Sequence, residues 1–281
     1  GMMKFDNGTL LVTSTDGVGT KSILVLEHFG YEKGFEMLGK DLVNLNVNDI
    51  LVKMAHPLFF LDYFGCGGLN ANHLKHFIKG ITSACKEVGC ALIKGETAQM
   101  PDIYQQYTFD LVGTVVGYCY EMTVLNGKET IHEGDLVIGL PSNGPHTNGF
   151  SLIRKILNRL KPYETVDPEI IDSLCAPHKC YYQDIMKLKN QQVNIHGLCH
   201  ITGGGLSENP PRTLPDNLTI KYCDWEMPKV FKFLQQKGHL SDLEMLRTFN
   251  CGIGMIVMIS KDDLDKIKDV DYIAMGEVSV N

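Results

Sequence analysis

Short β-prone runs that end in glycine-rich loops recur along this chain, and they constrain its fold more than any other feature. The junctions lie at LLVTST-DGVGTK (10–21), PLFFLDYF-GCGG (57–68), CALIK-GET (90–97), DLVIGL-PSNGPHTNG (135–149) and HGLCHI-TGGG (196–205). Each run has the apolar pattern of a strand, and the glycines after it break regular structure. Segments with helical periodicity separate the runs. The chain is therefore predicted to combine helices and strands, with its loops concentrated at strand ends.

Two segments in the first half have clear helical periodicity. Apolar residues at helical spacing over 74–88 form one face, and Gly89 is placed to end that helix. The apolar spacing over Asp41–Met54 predicts a second helix. The face opposite its apolar residues carries a polar stripe of Asp41, Asn44, Asn48 and Asp49. Short Asn and Asp side chains are poor helix formers, so a stripe of them favours a functional role over a plain solvent-exposed face.

The length of 281 residues fits two modest domains. The polar stretch Glu121–Gly127 ends in an Asn-Gly turn signal, so we place the boundary there, with domains of residues 1–125 and 126–281. Residues 161–172 are polar, contain two prolines and predict a surface connection.

Composition argues against several classes of protein. The net charge is −7, no block of five like charges occurs, and no apolar run approaches the length of a membrane-spanning helix. We therefore expect neither nucleic acid nor a membrane as a partner. The nine cysteines are scattered without a paired CxxC spacing, which predicts thiols in a reducing compartment and a cytoplasmic protein.

The loop Asp16-Gly-Val-Gly-Thr-Lys21 carries the strongest chemical signal. Glycine lets backbone N–H groups approach a phosphate, lysine supplies positive charge, and a carboxylate can hold Mg²⁺ that bridges phosphate oxygens. A tight loop with solvated ends is an equally weighted alternative on composition alone. Glu96, which follows Gly95 at a strand end, adds a candidate carboxylate to those of the polar stripe.

Two loops in the second half resemble one another in placement. Gly203-Gly-Gly205 lies between a strand and a predicted helix, where it is either an anion site or a flexible joint. The loop of residues 142–149 has the same placement and is a candidate anion or sugar site. His146 and His200 are candidate general bases, although a loop histidine more often serves only as a hydrogen-bonding residue. No Ser-His-Asp or Cys-His nucleophile can be defended, so the chemistry suggested is phosphate and Mg²⁺ handling.

A set of segments in these same regions resembles the phosphoribosylformylglycinamidine cyclo-ligase (aminoimidazole ribonucleotide synthetase) family. The segments are STDGVGTK (14–21), KDLVNLNVNDI (40–50), PLFFLDYF (57–64), GCALIKGETAQMP (89–101), LPSNGPHTNGFSLIRKIL (140–157), HITGGGLSENPPRTLPDN (200–217) and EMLRTFNCGIGMIV (244–257). Together they span nearly the whole chain in family order. The combination is specific, whereas DGVGTK-like loops alone occur in a wider ATP-using superfamily that includes thiamine-monophosphate kinase and selenophosphate synthetase.

The resemblance implies a two-domain α+β synthetase fold, with an N-terminal sheet that forms a barrel across a homodimer and a C-terminal α/β domain. Residues 1–125 would bind ATP and Mg²⁺ and dimerise, and residues 126–281 would complete the substrate cleft. The implied reaction of de novo purine biosynthesis converts formylglycinamidine ribonucleotide and ATP to aminoimidazole ribonucleotide, ADP and phosphate. The formamide oxygen would attack the γ-phosphate, and an amidine-derived nitrogen would then close the ring and expel phosphate.

The resemblance also implies roles for individual residues. The Mg²⁺ ligands would be Asp16, Asp41, Asp49 and Glu96. The ATP phosphates would be bound by Asp16, Gly17, Gly19, Thr20, Lys21 and Asn48. The ribonucleotide would be bound by His146, Asn148, Gly203, Gly204, Gly205 and Asn209. The catalytic candidates are Lys21, Asp49 and His200. ATP and Mg²⁺ are the expected cofactors, and a K⁺ requirement is left open.

Two alternatives to an active cyclo-ligase stay open on sequence alone. Only residues 1–9 precede Leu10, where family members carry a longer glycine-rich arm, and the chain stops at Asn281 soon after Met275-Gly-Glu277. Lys94 stands where relatives more often have glycine. The short arm motivates one alternative, a shortened, catalytically silent nucleotide-binding paralogue. A small-molecule kinase of the same superfamily is the other alternative.

Overall fold

The computed structural model of the protein describes residues 1–160 and 165–281. The chain divides into two units. Unit 1 contains residues 1–123 and 175–180, and unit 2 contains residues 124–174 and 181–281. The first break between the units, after residue 123, lies close to the predicted boundary after residue 125. No sequence signal assigns residues 175–180 to unit 1. Within the described ranges, no helix is both long and apolar enough to cross a bilayer.

Unit 1 is built on a mixed β-sheet. Its strands are β1 (Met2–Lys4), β2 (Thr9–Gly17), β3 (His56–Cys66), β4 (Ala91–Gln99) and β5 (Phe109–Tyr120), in the spatial order β1-β2-β5-β3-β4. Strands β3 and β4 are parallel, and the other neighbouring pairs are antiparallel. Strands β2, β3 and β4 therefore end at the same edge of the sheet. The loops that follow these three strands share that edge.

Two helices, α1 (Lys21–Leu51) and α2 (Ala71–Glu87), pack against one face of this sheet. They approach closely because both carry glycine at the crossing. A Cβ at Gly39 would collide with the Phe77 carbonyl, and one at Gly80 would collide with the Glu36 carbonyl. The predicted helix over 74–88 is confirmed in α2, which is followed by Gly89 with a φ of 69°.

Helix α1 is much longer than the predicted segment Asp41–Met54, which covers only its C-terminal part. It bends at Gly30, whose φ of 70° and ψ of 178° lie outside the helical region. Glycines at 30, 34 and 39 interrupt the apolar periodicity of the first 20 residues of α1. Tertiary packing, rather than local propensity, stabilises this part of the helix.

Unit 2 contains a second sheet, in which all of the neighbouring pairs are antiparallel. Its strands are β6 (Leu136–Pro141), β7 (Ile195–His200), β8 (Leu218–Tyr222), β9 (Ile253–Ile259) and β10 (Ile273–Val280), in the order β7-β9-β6-β10-β8. The expected α/β domain is therefore corrected to α+β. The continuous apolar run of β9 is typical of a parallel strand, but here it reflects complete burial in an antiparallel sheet.

The helices in this part of the chain are mostly short. They are α3 (Gly127–Thr130), α4 (Phe150–Leu157), α5 (Pro168–Cys175), α6 (Tyr182–Asn190), α7 (Gly205–Glu208), α8 (Lys229–Gly238) and α9 (Asp242–Thr248). Of the surface connection predicted over 161–172, residues 161–164 lie outside the described residues. The last part of the predicted connection is helical, because α5 begins at Pro168. The helix predicted after Gly203-Gly-Gly205 is only the four-residue α7.

Candidate functional site

The segment Asp16–Thr20, here called the strand-end loop, joins β2 to α1. Asp16 is exposed, and its Oδ1 accepts a hydrogen bond from Gly17 N at 2.7 Å. Glycine is required at position 17, because a Cβ there would meet the Leu111 carbonyl at 2.9 Å. Gly19 has a φ of 63°, which disfavours other residues. The structure thus places the predicted phosphate loop at the sheet edge, directly before the N-terminus of α1.

Lys21, by contrast, is completely buried. Its Nζ lies 2.7 Å from Asp41 Oδ1, and both side chains have zero exposure. The same Nζ donates a hydrogen bond to the carbonyl of Ala176 at 2.6 Å. Burial raises the pKa of Asp41, whereas the Lys21 ammonium favours its charged form. This geometry differs from the predicted contact between Lys21 and a phosphate, because the ammonium is already paired with a carboxylate.

The polar stripe of α1 binds a segment of the chain itself. Asn44 Nδ2 donates to the His178 carbonyl at 2.6 Å, and Asn48 Nδ2 donates to the Lys179 carbonyl at 2.8 Å. Asp41 Oδ1 accepts from His178 N at 2.7 Å. Together with Lys21, these side chains form what we call the α1 clamp (Lys21, Asp41, Asn44 and Asn48), which holds residues 176–179. Backbone recognition therefore explains three of the four residues of the stripe, Asp41, Asn44 and Asn48.

The remaining carboxylate of the stripe, Asp49, lies next to β2. Its Oδ2 accepts a hydrogen bond from Ser14 Oγ at 2.8 Å, and the side chain is half-buried. Asn46, one helical turn before Asp49, donates to the Asp16 carbonyl at 3.3 Å. Asp16 and Ser14 are two residues apart on one strand and so share a face of the sheet. Asp16 and Asp49 are therefore brought to the same β2–α1 boundary.

Glu96 lies on the other face of the sheet. In the strand register, Asp16 pairs with Gly113 and Gly113 pairs with Asp62, whereas Glu96 pairs with Tyr63. Because neighbouring residues in a strand point to opposite faces, Glu96 and Asp16 lie on opposite sides of the sheet. The four predicted metal ligands thus do not assemble into one cage. Over residues 1–160 and 165–281, no group of three or more His, Cys, Asp or Glu side chains is arranged to hold a metal ion.

The predicted carboxylates differ in whether they could bind Mg²⁺, because they differ in exposure and in the hydrogen bonds that they already accept. Asp16 is exposed and Asp49 is half-buried, and Mg²⁺ is usually bound by one or two carboxylates together with substrate phosphates. This pair fits a Mg²⁺–nucleotide complex. Asp41 does not fit, because its side chain is completely buried and its Oδ1 already accepts hydrogen bonds from Lys21 and His178. Its Oδ2 has no hydrogen-bond partner among the described residues but is buried as well.

Asp62 is a buried carboxylate outside the set of predicted site residues. It faces α1 and α2 and is 6% exposed, and burial raises its pKa to about 6. A single acidic residue within the apolar run PLFFLDYF was the available signal. Asp62 thus shares a cross-strand row with Asp16 but lies in a very different environment.

In unit 2 the structure brings two predicted substrate loops together. A Cβ at Gly203 would lie 3.6 Å from Asn148 Oδ1. Asn148 Nδ2 is buried and has no hydrogen-bond partner among the residues that the structure describes. His146 is buried in a left-handed conformation with a φ of 62°, and its ring centroid lies 6.1 Å from that of Tyr181.

The glycine loop before α7 is held mainly by internal contacts. Asn209 is buried, its Oδ1 accepts from Thr202 N at 2.8 Å, and its Nδ2 donates to the Gly203 carbonyl at 3.1 Å. A Cβ at Gly205 would collide with the Leu246 carbonyl, so glycine there permits close packing. Helix α7 has only four residues, and its dipole is correspondingly small. His200, at the end of β7, is 7% exposed.

Family models and curated relatives both match this chain over most of its length. Residues 1–119 match the family described as AIR synthase related protein, N-terminal domain, and residues 132–271 match the corresponding C-terminal domain family. The chain is 46% identical over 270 residues to phosphoribosylformylglycinamidine cyclo-ligase of Neisseria meningitidis serogroup C / serotype 2a, covering 93% of this chain and 76% of that protein. It is 45% identical over 274 residues to the protein of the same name from Methylobacillus flagellatus, covering 94% and 76%.

Solved structures resemble the chain at much lower identity. Thiamine-monophosphate kinase from Stenotrophomonas maltophilia K279a superposes with a TM-score of 0.72 at 14% identity, covering 99% of this chain and 85% of that one. Hydrogenase maturation protein HypE in complex with ATP gives a TM-score of 0.68 at 14% identity, covering 99% and 78%. At this identity the likeness shows a common fold.

Proposed function

This chain belongs to the phosphoribosylformylglycinamidine cyclo-ligase family, and from that premise we propose that it catalyses an ATP-dependent closure of an imidazole ring. It converts formylglycinamidine ribonucleotide to aminoimidazole ribonucleotide, with release of ADP and phosphate, in de novo purine biosynthesis. The observation that carries the proposal is 46% identity over 93% of the chain to a relative of that name. The alignments include both domains, which favours the cyclo-ligase over a kinase with the same fold.

The proposed reaction turns a poor leaving oxygen into a good one. The formamide oxygen of the substrate attacks the γ-phosphate of ATP, ADP departs, and an iminophosphate forms. An amidine-derived nitrogen then attacks the activated carbon, closes the ring and expels phosphate. Catalysis of such steps depends on positioning and on neutralising the phosphate charge rather than on a protein nucleophile.

We assign the ATP phosphates to the strand-end loop. Gly17 and Gly19 leave the backbone open to close approach, and the N–H groups and dipole at the start of α1 favour an anion there. Thr20 is the last residue of this loop and the N-cap of α1. Lys21 and Asn48 act through the α1 clamp, because their polar atoms bind Asp41 and the carbonyls of residues 176 and 179. They position the loop and helix rather than contact phosphate.

Asp16 and Asp49 would hold Mg²⁺ together with the nucleotide. When bound, Mg²⁺ neutralises charge that develops on the phosphate oxygens. Asp41 and Glu96 are left out of this set, for the reasons of pairing and sheet face given above. A K⁺ requirement stays a prediction.

The ribonucleotide is assigned to unit 2. His146 and Asn148 lie on one predicted loop, and Gly203 and Gly204 lie on the loop beside it. The buried Nδ2 of Asn148 is a donor suited to a phosphate or ribose oxygen. Asn209 and Gly205 shape the second loop. His200 stays a predicted general base.

We also propose that the chain acts as a homodimer through the uncovered face of the unit 1 sheet. Leu58 and Ile93 are 45% and 59% exposed, and both are apolar residues on strands of this sheet. A second sheet would bury this face, as a barrel across a dimer requires. Sedimentation that shows only a monomer at micromolar concentration would contradict this.

Product formation tests the proposed function. The purified chain is incubated with formylglycinamidine ribonucleotide, ATP and Mg²⁺, and aminoimidazole ribonucleotide is measured as a diazotisable amine. We expect product that depends on both ATP and Mg²⁺. Tight ATP binding by calorimetry with no product would instead support the silent paralogue, and turnover of other acceptors without ring closure would support the kinase.

A further inference from the structure

The C-terminal end of α2 places two cysteines of unit 1 next to one another. The helix ends at Glu87, and Gly89 follows with a φ of 69°. Cys90 N donates to the Cys85 carbonyl at 2.9 Å, and Gly89 N donates to the Lys86 carbonyl at 3.3 Å. These two bonds define a Schellman motif, in which the third residue from the helix end often contacts the residue after the left-handed glycine. In this chain those two residues are Cys85 and Cys90.

The two thiols also share a hydrogen bond, which makes them chemically different. The Cys85 S–H donates to the sulfur of Cys90, so the bond raises the pKa of Cys85 and lowers the pKa of Cys90. Burial and the Asp62 carboxylate raise the pKa of Cys85 further. The pair therefore ionises first at Cys90, while the proton stays on Cys85.

The environment of Cys90 differs from that of other buried cysteines in unit 1. Burial raises the pKa of the Cys66 and Cys119 thiols, which makes them poor nucleophiles. Cys90 is 7% exposed, and its neighbours along the chain, Gly89 and Ala91, are exposed. A small oxidant can therefore reach its sulfur, and thiolate character makes that sulfur the more reactive one of the pair.

We propose that Cys85 and Cys90 form a dithiol site that a hydroperoxide converts reversibly to an intramolecular disulfide. The Cys90 sulfur attacks the O–O bond of the peroxide, which breaks, and Cys90 becomes a sulfenic acid. The Cys85 sulfur then attacks the sulfenic sulfur and forms the S–S bond. The departing hydroxide takes the Cys85 proton and leaves as water. With hydrogen peroxide, two thiols lose two electrons and two protons, and one peroxide becomes two waters.

The disulfide would connect the end of α2 to the residue directly before β4. A thiol reductant would reverse it by thiol–disulfide exchange. In a reducing compartment such bonds are usually transient, and many of them sense oxidants. The inference does not rest on the proposed function, because it uses none of the residues assigned to ATP, Mg²⁺ or the ribonucleotide.

A tryptic digest distinguishes this disulfide from other products. Trypsin cleaves after Lys79, Lys86 and Lys94, so Cys85 and Cys90 fall in separate peptides, 80–86 and 87–94. The reduced full chain is treated with hydrogen peroxide, the remaining thiols are alkylated, and the digest is analysed by mass spectrometry. We expect the two peptides to appear as one disulfide-linked species and to separate after treatment with dithiothreitol.

Single variants test the order of the two steps. In Cys85→Ala the reaction should stop at the sulfenic acid of Cys90, which dimedone labels. In Cys90→Ala we expect neither the link nor a label on Cys85. The matched control is Cys119→Ala, since Cys119 is buried in β5 of the same unit, and it should leave the link unchanged.

Unfolding curves identify any variant that fails to fold. A second measurement then uses the wild type alone, with phenylarsine oxide, which bridges two adjacent thiols. It should protect peptides 80–86 and 87–94 from alkylation together, and protection of neither peptide would contradict the inference.

Rates of oxidation decide whether the folded arrangement matters. We expect Cys90 in the folded wild type to lose its thiol at least about tenfold faster than Cys119. Equal rates at the two positions would overturn the inference. Oxidation of the exposed Cys223 without the link between peptides 80–86 and 87–94 would overturn it as well, and so would a link that forms only after the chain is unfolded in urea.

Discussion

The α1 clamp and the strand-end loop each contain one aspartate, but the two carboxylates lie in opposite environments. In the clamp, Lys21 and Asp41 are completely buried, and with Asn44 and Asn48 they bind the backbone of residues 176–179. In the loop, Asp16 is exposed beside two glycines. The contrast teaches that burial, rather than residue type, separates groups that support the fold from groups that stay accessible to a ligand.

Breaking the buried ion pair should have the largest effect on stability. Asp41→Ala leaves the Lys21 ammonium buried without its carboxylate, and we expect the free energy of unfolding to fall by about 3–5 kcal/mol. Denaturant unfolding followed by circular dichroism measures this. Asp16→Ala is the control and should change stability by less than about 0.5 kcal/mol. If Asp41→Ala does not fold, the double variant Lys21→Met/Asp41→Leu should recover most of the loss, and a failure to recover would contradict the assignment.

The exposed carboxylate should show the reverse behaviour. Asp16→Asn is expected to reduce kcat at least about a hundredfold, because it removes a charge that we propose to hold Mg²⁺ against the phosphates, while stability stays unchanged. Steady-state kinetics at saturating ATP and Mg²⁺ test this, with Asp6→Asn as a matched exposed control in the same unit. Near-normal turnover of Asp16→Asn would remove this residue from the site.

Asp62 sharpens the comparison, because it is buried like Asp41 but no lysine pairs with it among the described residues. Its folded-state pKa of about 6 lies above the ordinary value near 3.9, so the folded state binds the proton more tightly than the unfolded state does. The stabilising effect of that proton is present below about pH 4 and is lost as the pH rises through 6.

We therefore expect Asp62→Asn to raise the free energy of unfolding by about 1–2 kcal/mol at pH 8. The gain should shrink as the pH falls from 6 towards 4. Unfolding curves for both proteins at several pH values provide the measurement. A gain that is independent of pH would show that the charge on Asp62 is not its origin.

A single amide of the clamp should have the smallest effect. Asn48→Ala removes the hydrogen bond to the Lys179 carbonyl and should cost about 1 kcal/mol. Asn72→Ala is the control, because it removes an exposed hydrogen bond to Glu32 of similar length, 2.9 Å. It should lower the free energy of unfolding by less than Asn48→Ala does. Equal losses in the two unfolding experiments would argue that the clamp has no special role.

The sequence predicted the unit 1 elements well where periodicity is local. The predicted runs over 10–15 and 57–64 lie within β2 and β3, and the stripe over 74–88 marks α2. The first part of α1 was not predicted, because Gly30, Gly34 and Gly39 interrupt its periodicity and are explained only by the kink and the crossing with α2. In unit 2, the continuous apolar run of β9 did not distinguish a parallel from an antiparallel neighbour.

The sequence indicated where along the chain the candidate residues lie, but it did not show which of them are buried. Asp16 and the glycines of DGVGTK were identified at a strand end, where the structure has them. The roles of Lys21 and Asp41 depend on Ala176 and His178, which lie more than 130 residues further along the chain. No local pattern reports such a contact. Asp62 carried a local signal, but only the fold shows that it is buried.

Transfer of the substrate's own oxygen to phosphate is the central claim, and an isotope experiment tests it most directly. Formylglycinamidine ribonucleotide labelled with oxygen-18 in the formyl group is turned over with unlabelled ATP, and the released phosphate is analysed by mass spectrometry. The account predicts one heavy oxygen in each phosphate formed with the ring product. Unlabelled phosphate, with the heavy oxygen recovered in water, would contradict activation by phosphorylation.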